Sequence, residues 1–133
     1  MNFRRIVVVG ASVLAISLVS AGGHSRADRK ASRVVRLAEL EIDSAQLENY
    51  KAALKGEIDA SIRIEPGVLT LYAVALRDNP AQIRIFEMYA GEAAYKSHLE
   101  TPHFKKYNLA TQGMVKSLKL VEIDPITLGS KSI

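Results

Sequence analysis

The amino-acid sequence predicts an α+β fold in which strands and helices follow the order βαββαβ, with the four strands in one antiparallel sheet. Three features of the 133-residue chain lead to this prediction. Short runs rich in Val, Ile and Leu have the length of strands, apolar residues elsewhere recur every three or four positions, and proline, glycine or asparagine separates these segments. With 48% hydrophobic residues, the chain can bury the core of one domain.

The first half of the domain predicts a strand, a long helix and a second strand. Arg33–Ile42 is the first strand, and Asp43 or Ser44 can cap the helix that follows. One face of this helix is apolar at steps of three and four, through Leu47, Tyr50, Leu54, Ile58 and Ile62. The segment Glu65-Pro66-Gly67 ends it, because proline cannot extend a helix. Val68–Leu76 is apolar on both faces, which is typical of a strand covered on both sides.

The second half predicts a hairpin strand, two short helical pieces and a last strand. Their expected positions are a turn at Arg77–Pro80, a strand at Gln82–Tyr89, a helix at Glu92–Glu100, a second helical piece from Pro102 to about Gly113, and a strand at Leu118–Asp124 that Pro125 ends. Thr101 can cap the second helical piece, with Pro102 at its first helical position. The two pieces are therefore expected to be separate helices.

This order of elements is the ferredoxin-like split βαβ pattern. Helices cover one face of such a sheet, and the strand pattern makes the other face apolar as well. Because an apolar face of that size needs a cover, we expect a second copy of the chain to lie against it in a two-fold homodimer.

The first 27 residues have the order of a secretory signal peptide. Met1–Arg5 is basic, Ile6–Val19 carries no charge, and small residues follow. The apolar run is shorter than the roughly 20 residues that a membrane-spanning helix needs. We therefore expect cleavage after Ala21 or Ala27, followed by a short linker before the domain. The cleaved protein would be periplasmic or secreted and would have no membrane attachment. The alternative is that the segment is retained as a membrane anchor.

Charge and composition exclude several classes of function. The leader holds three of the 18 basic residues and none of the 14 acidic ones, so the remainder is nearly neutral and no nucleic-acid partner is expected. The absence of cysteine excludes a disulfide framework, a thiolate metal site and a cysteine nucleophile. The sequence also lacks the glycine-rich and Gly-x-Ser-x-Gly motifs of nucleotide binding and serine hydrolysis.

Several short runs together resemble one known family. They are Glu65-Pro66-Gly67-Val68, Phe86-Glu87-Met88-Tyr89, Ala93-Ala94-Tyr95, His98-Leu99 and Thr101-Pro102-His103-Phe104. This pattern resembles the antibiotic biosynthesis monooxygenase family, in its quinol-monooxygenase-like branch, and the resemblance covers residues 33–128. It implies a homodimer of the dimeric α/β-barrel type, a pocket between sheet and helices, and, for many members, oxygenation without metal or flavin. The chain departs from the family pattern at Gly91 and in its leader.

Glu87 is the first candidate catalytic residue. Period-two alternation places it on one strand face with Ile83, Ile85 and Tyr89. A carboxylate on an apolar face is costly unless it is paired, and its burial raises the pKa and suits it to proton transfer. It can equally be a structural carboxylate that orients a histidine or pairs with an arginine. Both interpretations place Glu87 at the pocket.

His98 and His103 are the candidate bases. His98 lies at the edge of an apolar stripe with Tyr95 and Leu99, where a partly buried structural histidine is the simpler interpretation. His103 lies just inside a helix start, whose positive end favours a neutral imidazole; capping or packing is its simpler role. Together with Glu87, the two histidines form a possible ligand set for iron. The histidines are five residues apart, however, and this spacing matches no pair on one helical face. We therefore expect no metal and no cofactor.

Aromatic residues supply the expected binding surface. We expect the substrate to contact Tyr72, Phe86, Tyr89, Tyr95 and Phe104, although aromatic side chains belong to the core more often than to a site. The leading hypothesis is a cofactor-independent monooxygenase that oxidises a quinol-like or polyphenolic small aromatic with O2. The alternatives are a non-catalytic small-ligand-binding or stress-response module, and an isomerase on the same scaffold.

Overall fold

The computed structural model describes residues 33–132, so the predicted signal peptide lies outside the described residues. The strands are β1 (Val34–Ile42), β2 (Val68–Ala75), β3 (Gln82–Tyr89) and β4 (Val115–Glu122), and the helices are α1 (Leu47–Ile64), α2 (Glu92–Leu99) and α3 (Pro102–Thr111). A 3-10 turn at Ser44–Gln46 precedes α1. Within this part of the chain, none of the helices combines the length and the apolar character needed to cross a membrane.

The four strands form one antiparallel sheet in the order β2-β3-β1-β4. The α+β ferredoxin-like prediction is therefore confirmed. The register places Arg36 of β1 opposite Glu87 of β3 and opposite Glu122 of β4. Leu71 of β2 lies on the other side of Glu87. Glu87 thus occupies an interior strand, near the middle of the sheet.

Two predicted capping bonds are present, one at the 3-10 turn that precedes α1 and one at the start of α3, whereas Gln46, the N-cap of α1 itself, makes no side-chain capping bond. The side chain of Asp43 accepts a hydrogen bond from the backbone N–H of Ala45 at 3.0 Å, at the start of the 3-10 turn. The Thr101 side chain accepts from the backbone N–H of Phe104 at 3.3 Å, and Pro102 is the first residue of α3. These bonds satisfy N–H groups that have no partner inside the helix.

The last strand begins earlier than its apolar run predicts. The expected strand was Leu118–Asp124, whereas β4 begins at Val115 and ends at Glu122. Its start is set by pairing with β1, because Val115 lies opposite Ile42 and the N–H of Asp43 donates to the carbonyl of Met114 at 2.8 Å. Hydrogen bonding across strands thus extends the strand into a segment of mixed polarity.

The main core lies between α1 and the helix-facing side of the sheet. Tyr50 and Leu54 pack there with buried residues of β1 and β3, namely Ala38, Leu40, Ile42, Ile83 and Ile85. The predicted stripe of α1 is wrong at its end, since Ile62 is 50% exposed. The buried face continues instead through Glu57 and Ser61. Two polar side chains therefore occupy buried positions that the apolar pattern did not assign to the core.

Candidate active site

A cavity of about 350 Å³ lies between the sheet and the three helices. We call it the inner cavity. Its apolar lining comes from the sheet, through Leu40, Leu71, Ile85, Leu118 and Leu120, and from the helices, through Leu54, Leu99, Phe104 and Tyr107. Glu57, Glu87 and His98 also line it. An apolar cavity of this size with a few polar groups is typical of binding sites for small molecules.

His98 forms part of the cavity wall at the end of α2, where its side chain is almost completely buried. Its ring lies 4.7 Å from that of Phe104 and 5.3 Å from that of Tyr89, centroid to centroid. These two aromatic rings restrict the imidazole to a narrow range of orientations. The structure therefore presents a fixed, water-shielded imidazole to the inner cavity.

Glu65 holds the ring of His98 from the side of Nδ1. Its Oε1 and Oε2 atoms lie 3.0 and 3.3 Å from Nδ1. Burial alone would raise the pKa of Glu65, but hydrogen bonds from His103 and His98 outweigh it and lower the pKa. Since an ionised carboxylate only accepts hydrogen bonds, Nδ1 of His98 donates, which leaves Nε2 of the neutral ring as an acceptor.

His103 contacts the same carboxylate. Its Nε2 lies 2.5 Å from Oε1 of Glu65. His98 and His103 reach one carboxylate because α2 ends at Leu99 and α3 starts afresh at Pro102. The sequence prediction for His103 considered only the helix end and did not include the carboxylate of Glu65 as a partner.

Glu57 lies on the opposite side of the His98 ring. Its Oε1 accepts a hydrogen bond from Oγ of Ser61 at 2.6 Å and lies 3.6 Å from Nε2 of His98. Burial raises the pKa of Glu57, against the bond from Ser61 and the nearby imidazoles. The imidazole of His98 therefore lies between two carboxyl groups, one at each ring nitrogen.

Glu87 reaches the inner cavity without contacting either histidine through a hydrogen bond. It accepts a hydrogen bond from the hydroxyl of Tyr89 at 3.2 Å and lies opposite Arg36 in the sheet. Burial raises the pKa of Glu87, while the Tyr89 bond and the charges of His98 and Arg36 work against that rise. The role of orienting a histidine, which the sequence allowed for Glu87, belongs by geometry to Glu65.

Three of the five predicted aromatic contacts line the inner cavity. They are Tyr89, Tyr95 and Phe104. The guanidinium of Arg36 lies 3.8 Å above the ring of Tyr95, which fixes that ring at the cavity edge. Tyr72 and Phe86 pair with each other across β2 and β3, on the face of the sheet that alternation directs away from the helices. The structure does not bring Tyr72 and Phe86 to His98.

Sequence reasoning missed Glu57, Ser61 and Glu65. The first two follow Tyr50 and Leu54 at helical steps, so an alternative continuation of the α1 stripe passes through them. Because both residues are polar, a pattern of apolar residues does not include them. Glu65 was assigned only to the helix stop before Pro66. A carboxylate at a helix end beside a predicted pocket was the available signal.

A metal ion could be held by Glu57, His98 and His103. One ligand atom from each lies within 4.8 Å of the others. The ligand set weighed from the sequence contained Glu87 in place of Glu57. The break before Pro102 was predicted, and in the structure it is what lets both histidines approach the same cluster.

Comparison with known proteins identifies the family. The family model described as antibiotic biosynthesis monooxygenase matches residues 33–109. A solved structure from Bacteroides thetaiotaomicron, whose name places it in the same family, is 50% identical, with a TM-score of 0.74; the match covers 78% of this chain and 99% of that one. No curated protein matches the chain.

Two further solved structures extend the comparison. One from Lactobacillus acidophilus, named as a monooxygenase, is 37% identical with a TM-score of 0.66, over 67% of this chain and 42% of that one. One from Nitrosomonas europaea shares the fold at 21% identity, with a TM-score of 0.67 over 71% of this chain and 91% of that one. These names support a generic monooxygenase-like function acting on a small molecule. The chain belongs to the antibiotic biosynthesis monooxygenase family.

Proposed function

We propose that the protein is a cofactor-independent monooxygenase that oxidises a quinol-like or polyphenolic small aromatic with O2. The observation that carries the proposal is the imidazole of His98, buried in the wall of an apolar cavity and held at Nδ1 by Glu65. A base in that state accepts a proton from a phenolic hydroxyl, while the surrounding Tyr89, Tyr95 and Phe104 accommodate a flat ring.

The reaction starts with transfer of a hydroxyl proton from the substrate to Nε2 of His98. The phenolate passes one electron to dioxygen, and the aryloxyl radical and superoxide then combine to form a carbon–oxygen bond. The protonated His98 returns its proton to the peroxide, which becomes a hydroperoxide. The oxygenated ring carbon then loses its hydrogen as a proton, the electrons of that C–H bond form the C=O bond, and the O–O bond breaks. One oxygen atom stays on the ring, which becomes a quinone, and the released hydroxide takes up the proton and leaves as water. The substrate supplies all the electrons that dioxygen accepts.

The protein contributes desolvation, orientation and proton transfer in this scheme. The apolar lining excludes water, so a phenolate forms next to the charge of the imidazolium rather than in bulk solvent. Glu65 acts as a positioning residue, since it keeps the reactive nitrogen of His98 directed into the cavity and stabilises the imidazolium that forms.

Oxygen uptake with a panel of quinols tests the proposal. We expect uptake equimolar with substrate loss, anaerobic arrest, and a loss of about 10²–10⁴-fold in His98→Asn. Lys96→Gln, on the exposed side of the same helix, is the matched control and should keep full turnover. Conversion without oxygen would instead indicate an isomerase. Thermal stabilisation by a quinol without conversion would indicate a binding module. Either result, or full activity in His98→Asn, would refute the proposed reaction.

We also propose that the protein works as a homodimer. Large apolar side chains stand exposed on β2, where Tyr72 is 64% and Val74 58% exposed. Both lie on the face of the sheet away from the helices. Tyr72 is paired there with Phe86, which is paired in turn with Leu37, and Val74 is paired with Arg84. A second copy packed on this face would remove the apolar surface from water. The predicted leader supports a location in the periplasm or outside the cell.

A further inference from the structure

Glu57 has no role in the proposed reaction, and within the described residues it faces the reactive nitrogen of His98 across a gap. Oε1 of Glu57 and Nε2 of His98 lie 3.6 Å apart, beyond hydrogen-bond distance. Both side chains are almost fully buried. Oε1 of Glu57 accepts from Ser61 and still has room for a second partner, so a proton or a cation placed in this gap would interact with both Glu57 and His98.

We propose that Glu57, His98 and His103 form a binding site for a divalent transition-metal ion such as Zn²⁺. With bonds of about 2.1 Å, an ion that bridges two atoms 3.6 Å apart makes an angle of about 118° between them, close to the geometry around zinc. One ring nitrogen of His103 lies within 4.8 Å of the ligand atoms of Glu57 and His98, which makes it the third candidate ligand. A carboxylate and two imidazoles are ligands that zinc prefers.

The groups around the trio are arranged as metal ligands require. Glu65 accepts from Nδ1 of His98 and contacts Nε2 of His103, which directs the other nitrogen of each ring away from Glu65. Ser61 donates to Glu57 and fixes the carboxyl group. Metal-bound histidines almost always have such a carboxylate partner, and metal-bound carboxylates are themselves hydrogen-bonded.

The consequence for function rests on the proposed reaction. An ion bound to Nε2 of His98 takes the lone pair that accepts the substrate proton, and it occupies space at the cavity wall. Metal binding and proton abstraction therefore exclude each other. The site would make the enzyme sensitive to Zn²⁺ inhibition that a chelator reverses.

Binding of Co²⁺ and Zn²⁺ to the untagged chain tests the site directly, without substrate. We expect saturable one-to-one binding by calorimetry, and the visible absorption of low-symmetry Co²⁺. Glu57→Gln and His98→Asn should each weaken binding at least tenfold, and Glu65→Gln by about 10–100-fold. Two control variants should leave metal binding unchanged. Glu48→Gln replaces an exposed carboxylate on the same helix as Glu57, and His24→Asn replaces the third histidine of the sequence.

The outcomes separate the metal site from the proposed reaction. The metal site would be overturned if no saturable metal binding is found. It would also be overturned if the parent chain, Glu57→Gln and His98→Asn bind the metal equally well. Neither result depends on whether the protein turns over a quinol. Absence of quinol turnover would count against the oxygenase alone, because the binding isotherm does not depend on it. Circular dichroism of each variant shows whether a loss of binding reflects a loss of fold. If Glu57→Gln fails to fold, His103→Asn, at the less buried ligand, replaces it in the same comparison.

Discussion

Glu65 and His98 are hydrogen-bonded at 3.0 Å across the junction of three elements, with Glu65 between α1 and β2 and His98 at the end of α2. This one contact determines which nitrogen of His98 faces the inner cavity. If it positions the base, then Glu65→Gln, which keeps an acceptor oxygen, should lower kcat less than Glu65→Ala, with little change in KM. Steady-state oxygen uptake measures both, and equal kcat values for the two variants would argue against a positioning role.

The hydroxyl groups of Tyr50 and Tyr107 lie 2.7 Å apart in the core. Tyr107→Phe removes the partner of a fully buried hydroxyl, so we expect a loss of about 1–3 kcal/mol in the free energy of unfolding. Replacing both tyrosines by phenylalanine removes both polar groups and should cost less than that single change. Urea unfolding of Tyr50→Phe, Tyr107→Phe and the double variant completes the cycle. A double variant less stable than Tyr107→Phe would contradict the expectation.

Gly67 has no room for a side chain, because an added Cβ would lie 2.6 Å from Cβ of Ala94. Gly67→Ala should therefore cost about 1–3 kcal/mol of folding free energy through overpacking. The double variant Gly67→Ala, Ala94→Gly removes the clash and should recover part of the loss. Gly56→Ala is the contrasting control, since it meets nothing within 4 Å inside α1 and should stabilise by about 0.5–1 kcal/mol. Thermal unfolding compares all three.

Burial raises the pKa of Glu87 above its ordinary value of 4.5. The folded state therefore binds this proton more tightly than the unfolded state, and the contribution of Glu87 to stability falls as pH rises from about 4.5 through the folded pKa. Glu87→Gln cannot ionise, so its stability relative to the parent chain should increase between pH 4 and pH 8. Chemical unfolding across that range measures the difference. A difference that is flat or of opposite sign would show that the Tyr89 and Arg36 contacts dominate.

Tyr72→Asp should dissociate the proposed homodimer by burying a charge in its apolar interface. Leu109→Asp provides the control, because Leu109 is 70% exposed on α3, away from the open face of the sheet. Sedimentation equilibrium should give a monomer for the first variant and a dimer for the second. A monomeric parent chain would remove the dimer from the proposal.

Local sequence signals predicted most of the fold. The bounds of β3 agree with the prediction, and the Thr101 cap and Pro102 start of α3 are as expected, because turn residues and caps act within a few positions. The start of β4 could not be predicted, since it depends on pairing with Ile42 far away in sequence.

The candidate site was partly accessible from sequence. His98, Glu87 and Tyr89 do line one cavity, because strand alternation and helical spacing place them on facing surfaces. The same alternation, applied jointly to both hairpin strands, would have separated Tyr72 and Phe86 from that cavity. Glu57 and Ser61 were not predicted as site residues, because a pattern of apolar residues does not include a polar residue on a buried face.

The interruption between α2 and α3 also determines the distance between the two imidazoles. In one continuous helix, His98 and His103 would be about 140° apart around the axis and could not share a carboxylate. Here the backbone N–H and the hydroxyl of Thr101 both donate to the carbonyl of His98, so the linker between the helices fixes their relative angle. Substitutions in this linker of two residues would therefore change the acidity of the two histidines or their preference for a ligand. Every side chain that lines the cavity would stay the same.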